Sequence, residues 1–90
     1  MTKDEKKYMR RVADLGCIAC RKLGYHDTPA ELHHITNNTL GKRSDNFSVI
    51  PLCPYHHRTS KESFHQNPKW FVKTFGSQTD LLEEVIQWLK

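Results

Sequence analysis

Two short stretches, Cys17-Ile18-Ala19-Cys20 and Cys53-Pro54-Tyr55-His56, each carry two metal-ligand side chains separated by two residues. Two such half-sites supply what one tetrahedral ion needs, and three thiolates with one imidazole select zinc. Four protein ligands close the coordination sphere, so Cys17, Cys20, Cys53 and His56 are expected to hold a structural zinc rather than a catalytic one. His57 follows directly, and neighbours on a helix point about 100° apart, so His56 and His57 can serve two different sites. With the zinc ligands and the loop residue His26 set aside, His33, His34, His57 and His65 remain. The first three come from a predicted hairpin strand and the helix after it, and a hairpin facing a helix can hold one divalent ion between them. Imidazoles bind zinc, nickel and copper better than magnesium, which prefers oxygen ligands. Zinc is therefore an expected occupant, with magnesium or manganese as alternatives.

These side chains need elements to position them. Tyr8, Met9, Val12 and Leu15 recur at helical spacing from Asp4 to Leu15, and Gly16 ends that helix. The knuckle at Cys17 is followed by a turn closed by Gly24, and Tyr25 to Pro29 is loop. Glu31 to Ile35 is read as the first strand of a hairpin and Ser48 to Cys53 as the second, with Pro51 marking an edge or a strand end. Thr36 to Phe47 between them has loop composition, and loops of about 12 residues tend to be functional. Pro54 suits the first position of a helix, which places Cys53 at its entrance and the two histidines on its first turn. Asn67-Pro68 starts a helix carrying Trp70, Phe71 and Phe75 and stopped by Gly76; Thr79 caps the last one, with Leu81, Leu82, Val85, Ile86 and Leu89 as its apolar stripe. Both stripes are expected in the core.

Ninety residues make one small domain, 1–90, that its own core stabilises only marginally. Three cysteines are too few for a disulfide scaffold and favour a metal and a reducing compartment. The N-terminal residues carry no apolar signal core and no run is long enough to span a membrane, which points to the cytoplasm. The net charge of +4 is unevenly spread: residues 1–79 hold 13 Lys+Arg against 7 Asp+Glu, and residues 80–90 one Lys against three acids. A basic body suits a polyanion partner.

The order of these residues resembles the HNH, or ββα-metal, nuclease motif: the pair His33-His34 on the first strand, an Asn beside the second, and a final His on the helix, here His57. Ser48 stands three residues before Pro51 where the common pattern has Asn, so the part falls to the nearest one, Asn46. The stretches Leu15 to Cys20, Pro29 to Ile35, Val49 to Thr59 and Trp70 to Gly76 are more specifically similar to the phage Ref family, RecA-dependent nucleases that enhance recombination. The resemblance implies an α+β fold: a small zinc-stapled ββα-metal domain with one hairpin packed on helices and further helices at both termini. It implies His34 as general base, His33 and His57 as ligands of the catalytic ion with His65 as a third, Asn46 in support, and 5′-phosphate and 3′-hydroxyl products. It also implies DNA as substrate, a RecA filament as partner and a bacterial host. The alternative is a non-catalytic zinc module that grips DNA through Lys42, Arg43, Arg58 and Lys61. The histidines left over from the zinc site favour the nuclease.

Overall fold

The computed structural model describes residues 2–35 and 47–90. Helix α1, Lys3–Asp14, opens on a capping box in which the Thr2 hydroxyl accepts from the Glu5 amide (3.1 Å) while Glu5 accepts from the Thr2 amide (2.9 Å). It stops at Gly16, whose φ of 79° suits glycine; a Cβ there would also lie 3.2 Å from the Thr28 carbonyl. That close approach lets the Cys17 amide donate to Thr28 O (3.0 Å) and sets the knuckle against the chain entering the sheet. The expected turn after the knuckle is a short helix, α2, Ile18–Lys22, with Cys17 as its N-cap.

Strands β1, Glu31–His34, and β2, Val49–Leu52, form a two-stranded antiparallel sheet in which Glu31 faces Leu52, Leu32 faces Pro51, His33 faces Ile50 and His34 faces Val49. The Ile35 amide donates to Ser48 O (3.0 Å) in the same register. Hydrogen-bonded pairs alternate with non-hydrogen-bonded ones in such a ladder, so Leu32 and Pro51 fall on a non-bonded pair. The missing N–H of Pro51 is therefore lost to no partner, which is how a proline fits a fully buried strand.

All four residues of β2 are buried, between α1, α2 and the last helix. A wide π-helical turn, Tyr55–Thr59, follows at Pro54 in place of the expected α-helix. Thr59 Oγ1 donates to Pro54 O (3.1 Å) and Ser60 Oγ to Tyr55 O (2.7 Å), so hydroxyls five residues on serve carbonyls that a wide turn leaves open. Helix α3, Pro68–Phe75, is capped by Asn67 and stopped by Gly76 as expected. Helix α4, Gln78–Trp88, is capped by Ser77, whose hydroxyl accepts from the Asp80 amide (3.1 Å), and Thr79 lies inside its first turn.

Phe71, Phe75, Leu81 and Val85 join the core with Val12, Ile18, Val49, Ile50 and Leu52. Trp70 and Ile86, expected there, are exposed: a core this small covers only a narrow face of α3 and α4. Side chains tie α4 back to the N-terminal half. Arg11 Nη2 donates to Leu89 O (2.8 Å), Arg21 lies 4.5 Å over the Trp88 ring, and Lys22 pairs with Glu84 (2.9 Å). Among the described residues no helix is long and apolar enough to cross a membrane.

Candidate functional site

The two cysteine-containing half-sites meet. Cys17 and Cys20 frame the start of α2, Cys53 ends the hairpin and His56 stands on the π turn, and all four are buried. His56 Nδ1 lies 3.8 Å from Cys17 Sγ, 3.5 Å from Cys20 Sγ and 3.4 Å from Cys53 Sγ, and the sulfurs of Cys20 and Cys53 are 3.7 Å apart. Zinc–sulfur and zinc–nitrogen bonds of about 2.3 and 2.0 Å span tetrahedral edges of about 3.8 Å between sulfurs and about 3.5 Å from sulfur to nitrogen. The donor set and its spacing thus fit a tetrahedral ion. The Cys20 amide points at Cys17 Sγ (3.4 Å), a donor suited to a thiolate. Burial pushes the Cys17 thiol up to about 12 and raises Cys20 as well, so these two thiols favour the neutral form until a cation compensates their thiolates.

A second cluster forms on the other side of the π turn. Ligand atoms of His33, His57 and His65 lie within 4.8 Å of one another, and the three rings pack pairwise with centroids 4.8–5.2 Å apart. His33 comes from β1 and His57 from the π turn. The open carbonyls of the wide turn hold the returning chain: Phe64 N donates to His56 O (2.8 Å), His65 N to His57 O (3.2 Å) and Gln66 Nε2 to Arg58 O (2.8 Å). That backbone pairing places His65 beside His57. His56 and His57 are divided between the two clusters, as the offset of adjacent residues implies.

His34 is half-buried and stands outside the three-ring cluster; strand alternation puts it on the opposite face of β1 from His33. Arg58 is exposed but engaged, its Nε donating to Glu31 Oε1 (2.8 Å) and its Nη2 to Glu31 Oε2 (3.2 Å). Lys61 is exposed. Asn46, Lys42 and Arg43 lie outside the described residues.

Two polar residues that motif and spacing did not single out hold the second cluster. Glu31 Oε1 accepts from His57 Nδ1–H at 2.7 Å, which leaves Nε2 as the lone pair of that ring. Gln78 Oε1 accepts from His33 Nε2–H at 2.8 Å. The only sequence signal for Glu31 was its position two residues before His33 on a strand, which puts both on one face. Gln78 gave none. The Arg58 guanidinium, and after it His57, hold the Glu31 carboxyl down at about 2.

Burial lowers the pKa of His33, with Gln78 opposing it, and burial likewise lowers that of His56. A histidine depressed in the folded state takes up its proton more readily when unfolded, so the stability it contributes is complete above the ordinary value of about 6.5 and is lost as pH falls below it. Protonation also competes with metal, which acts in the same direction. The urea midpoint is therefore expected to be flat from about pH 7 to 8 and to fall below about pH 6.5. A midpoint that rises on acidification would contradict the burial of neutral rings.

Against models of known families, residues 1–90 match the one described as recombination enhancement, RecA-dependent nuclease. No curated protein matches the chain.

Proposed function

The chain belongs to the recombination enhancement, RecA-dependent nuclease family, and from that premise we propose that it is a metal-dependent DNA endonuclease of the ββα-metal (HNH) type. The cluster of His33, His57 and His65, brought together by the hairpin and the π turn, carries the reading. Three imidazoles are a donor set for zinc, with magnesium or manganese as alternatives in turnover. His33, His57 and His65 would hold a divalent ion, which would supply charge neutralisation for the phosphodiester under attack.

The chain's own residues do the rest. His34, next in sequence to His33, is the proposed general base, its imidazole taking a proton from the attacking water. Glu31 is a positioning residue: its carboxylate fixes the tautomer and direction of the His57 ring, and Arg58 holds that carboxylate in turn. Gln78 does the same for His33. Asn46 takes the supporting role that the HNH resemblance implies, and Lys42, Arg43 and Lys61 are the proposed contacts to DNA phosphates. In-line attack leaves a 5′-phosphate and a 3′-hydroxyl. The ion held by Cys17, Cys20, Cys53 and His56 is structural zinc. The protein acts on DNA with a RecA filament in the cytoplasm of a bacterial host, and its origin is phage or prophage.

Incubation of DNA, with and without a RecA filament, in Mg²⁺ or Mn²⁺ tests this. Cleavage by the wild type and its loss in His34→Ala are expected. Equal cutting by His34→Ala removes that residue as base, and no cutting under any metal with the filament present leaves only a DNA-binding module. For Glu31, titration of cobalt(II) into protein already loaded with one zinc is expected to show Glu31→Ala weakening the second ion by about 10- to 100-fold, with Glu31→Gln intermediate because its amide oxygen still accepts. Unchanged affinity in Glu31→Ala would show that His57 needs no orienting partner.

A further inference from the structure

A cavity of about 430 Å³ opens between the Phe64 segment, α3 and the start of α4, lined by Phe64, Pro68, Lys69, Val72, Lys73 and Gln78. Lys69 and Lys73 are four residues apart on α3 and so share a face of the helix. Neither side chain has an ion pair or hydrogen bond among the described residues. Phe64, Pro68 and Val72 supply apolar lining of the same cavity, and Val72 remains 39% exposed. Two walls of this cavity are also walls of the histidine cluster. The Phe64 ring packs on His33 with centroids 4.8 Å apart, and Gln78 accepts the His33 hydrogen bond.

Lysines and apolar side chains lining one cavity match the two halves of a nucleotide. The cations suit a phosphate, and the aromatic and aliphatic surface suits the face of a base. A duplex offers such a surface only its phosphates, since its bases are stacked inside; an unpaired strand offers both. We propose that this cavity holds an unpaired nucleotide of the DNA strand beside the scissile phosphate, with Lys69 and Lys73 on the strand's phosphates and the base against Phe64, Pro68 and Val72. The inference rests on the nuclease reading above and adds to it a preference for locally single-stranded DNA.

The test uses the full, zinc-loaded chain and a fluorescein-labelled oligonucleotide, presented as a single strand, as the same strand with abasic sites, and as a duplex, over a series of salt concentrations. In the double variant Lys69→Ala/Lys73→Ala, affinity for the single strand is expected to fall on the order of ten-fold near 0.1 M salt, and the slope of log affinity against log salt to become shallower by about 1.4, or about 0.7 for each lost contact. Wild-type affinity for the abasic strand is expected to fall several-fold, and that for the duplex to change less than that for the single strand in the double variant. Circular dichroism and cobalt binding establish that the variant is folded and keeps both ion sites. A wild type that binds and cuts DNA, beside a double variant with unchanged affinity and slope, overturns the cavity while leaving the nuclease standing. Equal losses on single strand and duplex with no effect of abasic sites overturn the base-binding half and with it the proposal. A wild type that binds neither form overturns this proposal together with the nuclease reading.

Discussion

His56→Ala, or chelation of the wild type, is expected to abolish the cooperative fold. The four buried residues Cys17, Cys20, Cys53 and His56 come from three parts of the chain, the start of α2, the end of the hairpin and the π turn. Three of the four are also members of the hydrophobic core, so an ion held there would sit where packing otherwise has to provide cohesion. Structural zinc contributes about 10 kcal/mol or more in small peptides, which matches or exceeds the whole stability of an ordinary domain of about 5–15 kcal/mol. Losing one ligand exposes a second weakness. The Cys17 thiol, pushed up to about 12 by burial, reverts to the neutral form when no cation is present, and the site becomes a loose cluster of small groups. Far-UV circular dichroism and a thermal melt of the variant, and of wild type treated with chelator, are the measurements. Helix content and a melting temperature equal to those of the zinc-loaded wild type would refute a structural role for this site.

How far the sequence revealed this arrangement varies by residue, for physical reasons. The pairing within each half of the first cluster was legible because Cys-x-x-Cys and Cys-x-x-His spacings are local: a short turn brings each pair together whatever the rest of the chain does. The division of His56 from His57 was legible for the same reason, since the angle between neighbours on a helical turn is fixed by the backbone. Glu31 and Gln78 were not legible as site residues. Glu31 reaches His57 across 26 residues and Gln78 reaches His33 across 45, and both contacts depend on the hairpin register and on how α4 docks. The π turn was hidden as well, because Pro54 through Thr59 reads as an ordinary helix start until the hydroxyls of Thr59 and Ser60 are seen to serve carbonyls five residues back. Ser77 displaced Thr79 as a cap for a simpler reason. Gly76, at a φ of 116°, ends α3 and lets the next helix begin at once, so the first available hydroxyl takes the N-cap.

His57→Ala is expected to leave the domain folded and to remove cleavage. The ring of His57 is only partly buried, with 14% of its side chain exposed, and among the described residues its direct hydrogen-bond partner is Glu31. That carboxylate keeps both bonds from Arg58 after the ring is gone, so no buried charge is stranded, and the melting temperature should move by no more than about 8 °C, the shift that about 1 kcal/mol produces in a domain of this size. Metal content separates this variant from His56→Ala more sharply than activity does: two ions per chain are expected in the wild type and one in His57→Ala, held by the intact cysteine cluster. Cleavage should fall by at least about a hundred-fold, because losing a ligand outright costs no less than losing the outer partner that merely orients one, for which about 10- to 100-fold is usual. The neighbouring position makes the contrast demanding. One residue earlier in the same turn the same substitution should unfold the protein, so a folded, active His56→Ala beside an unfolded His57→Ala would show that the structural role belongs to His57 and the catalytic one to His56.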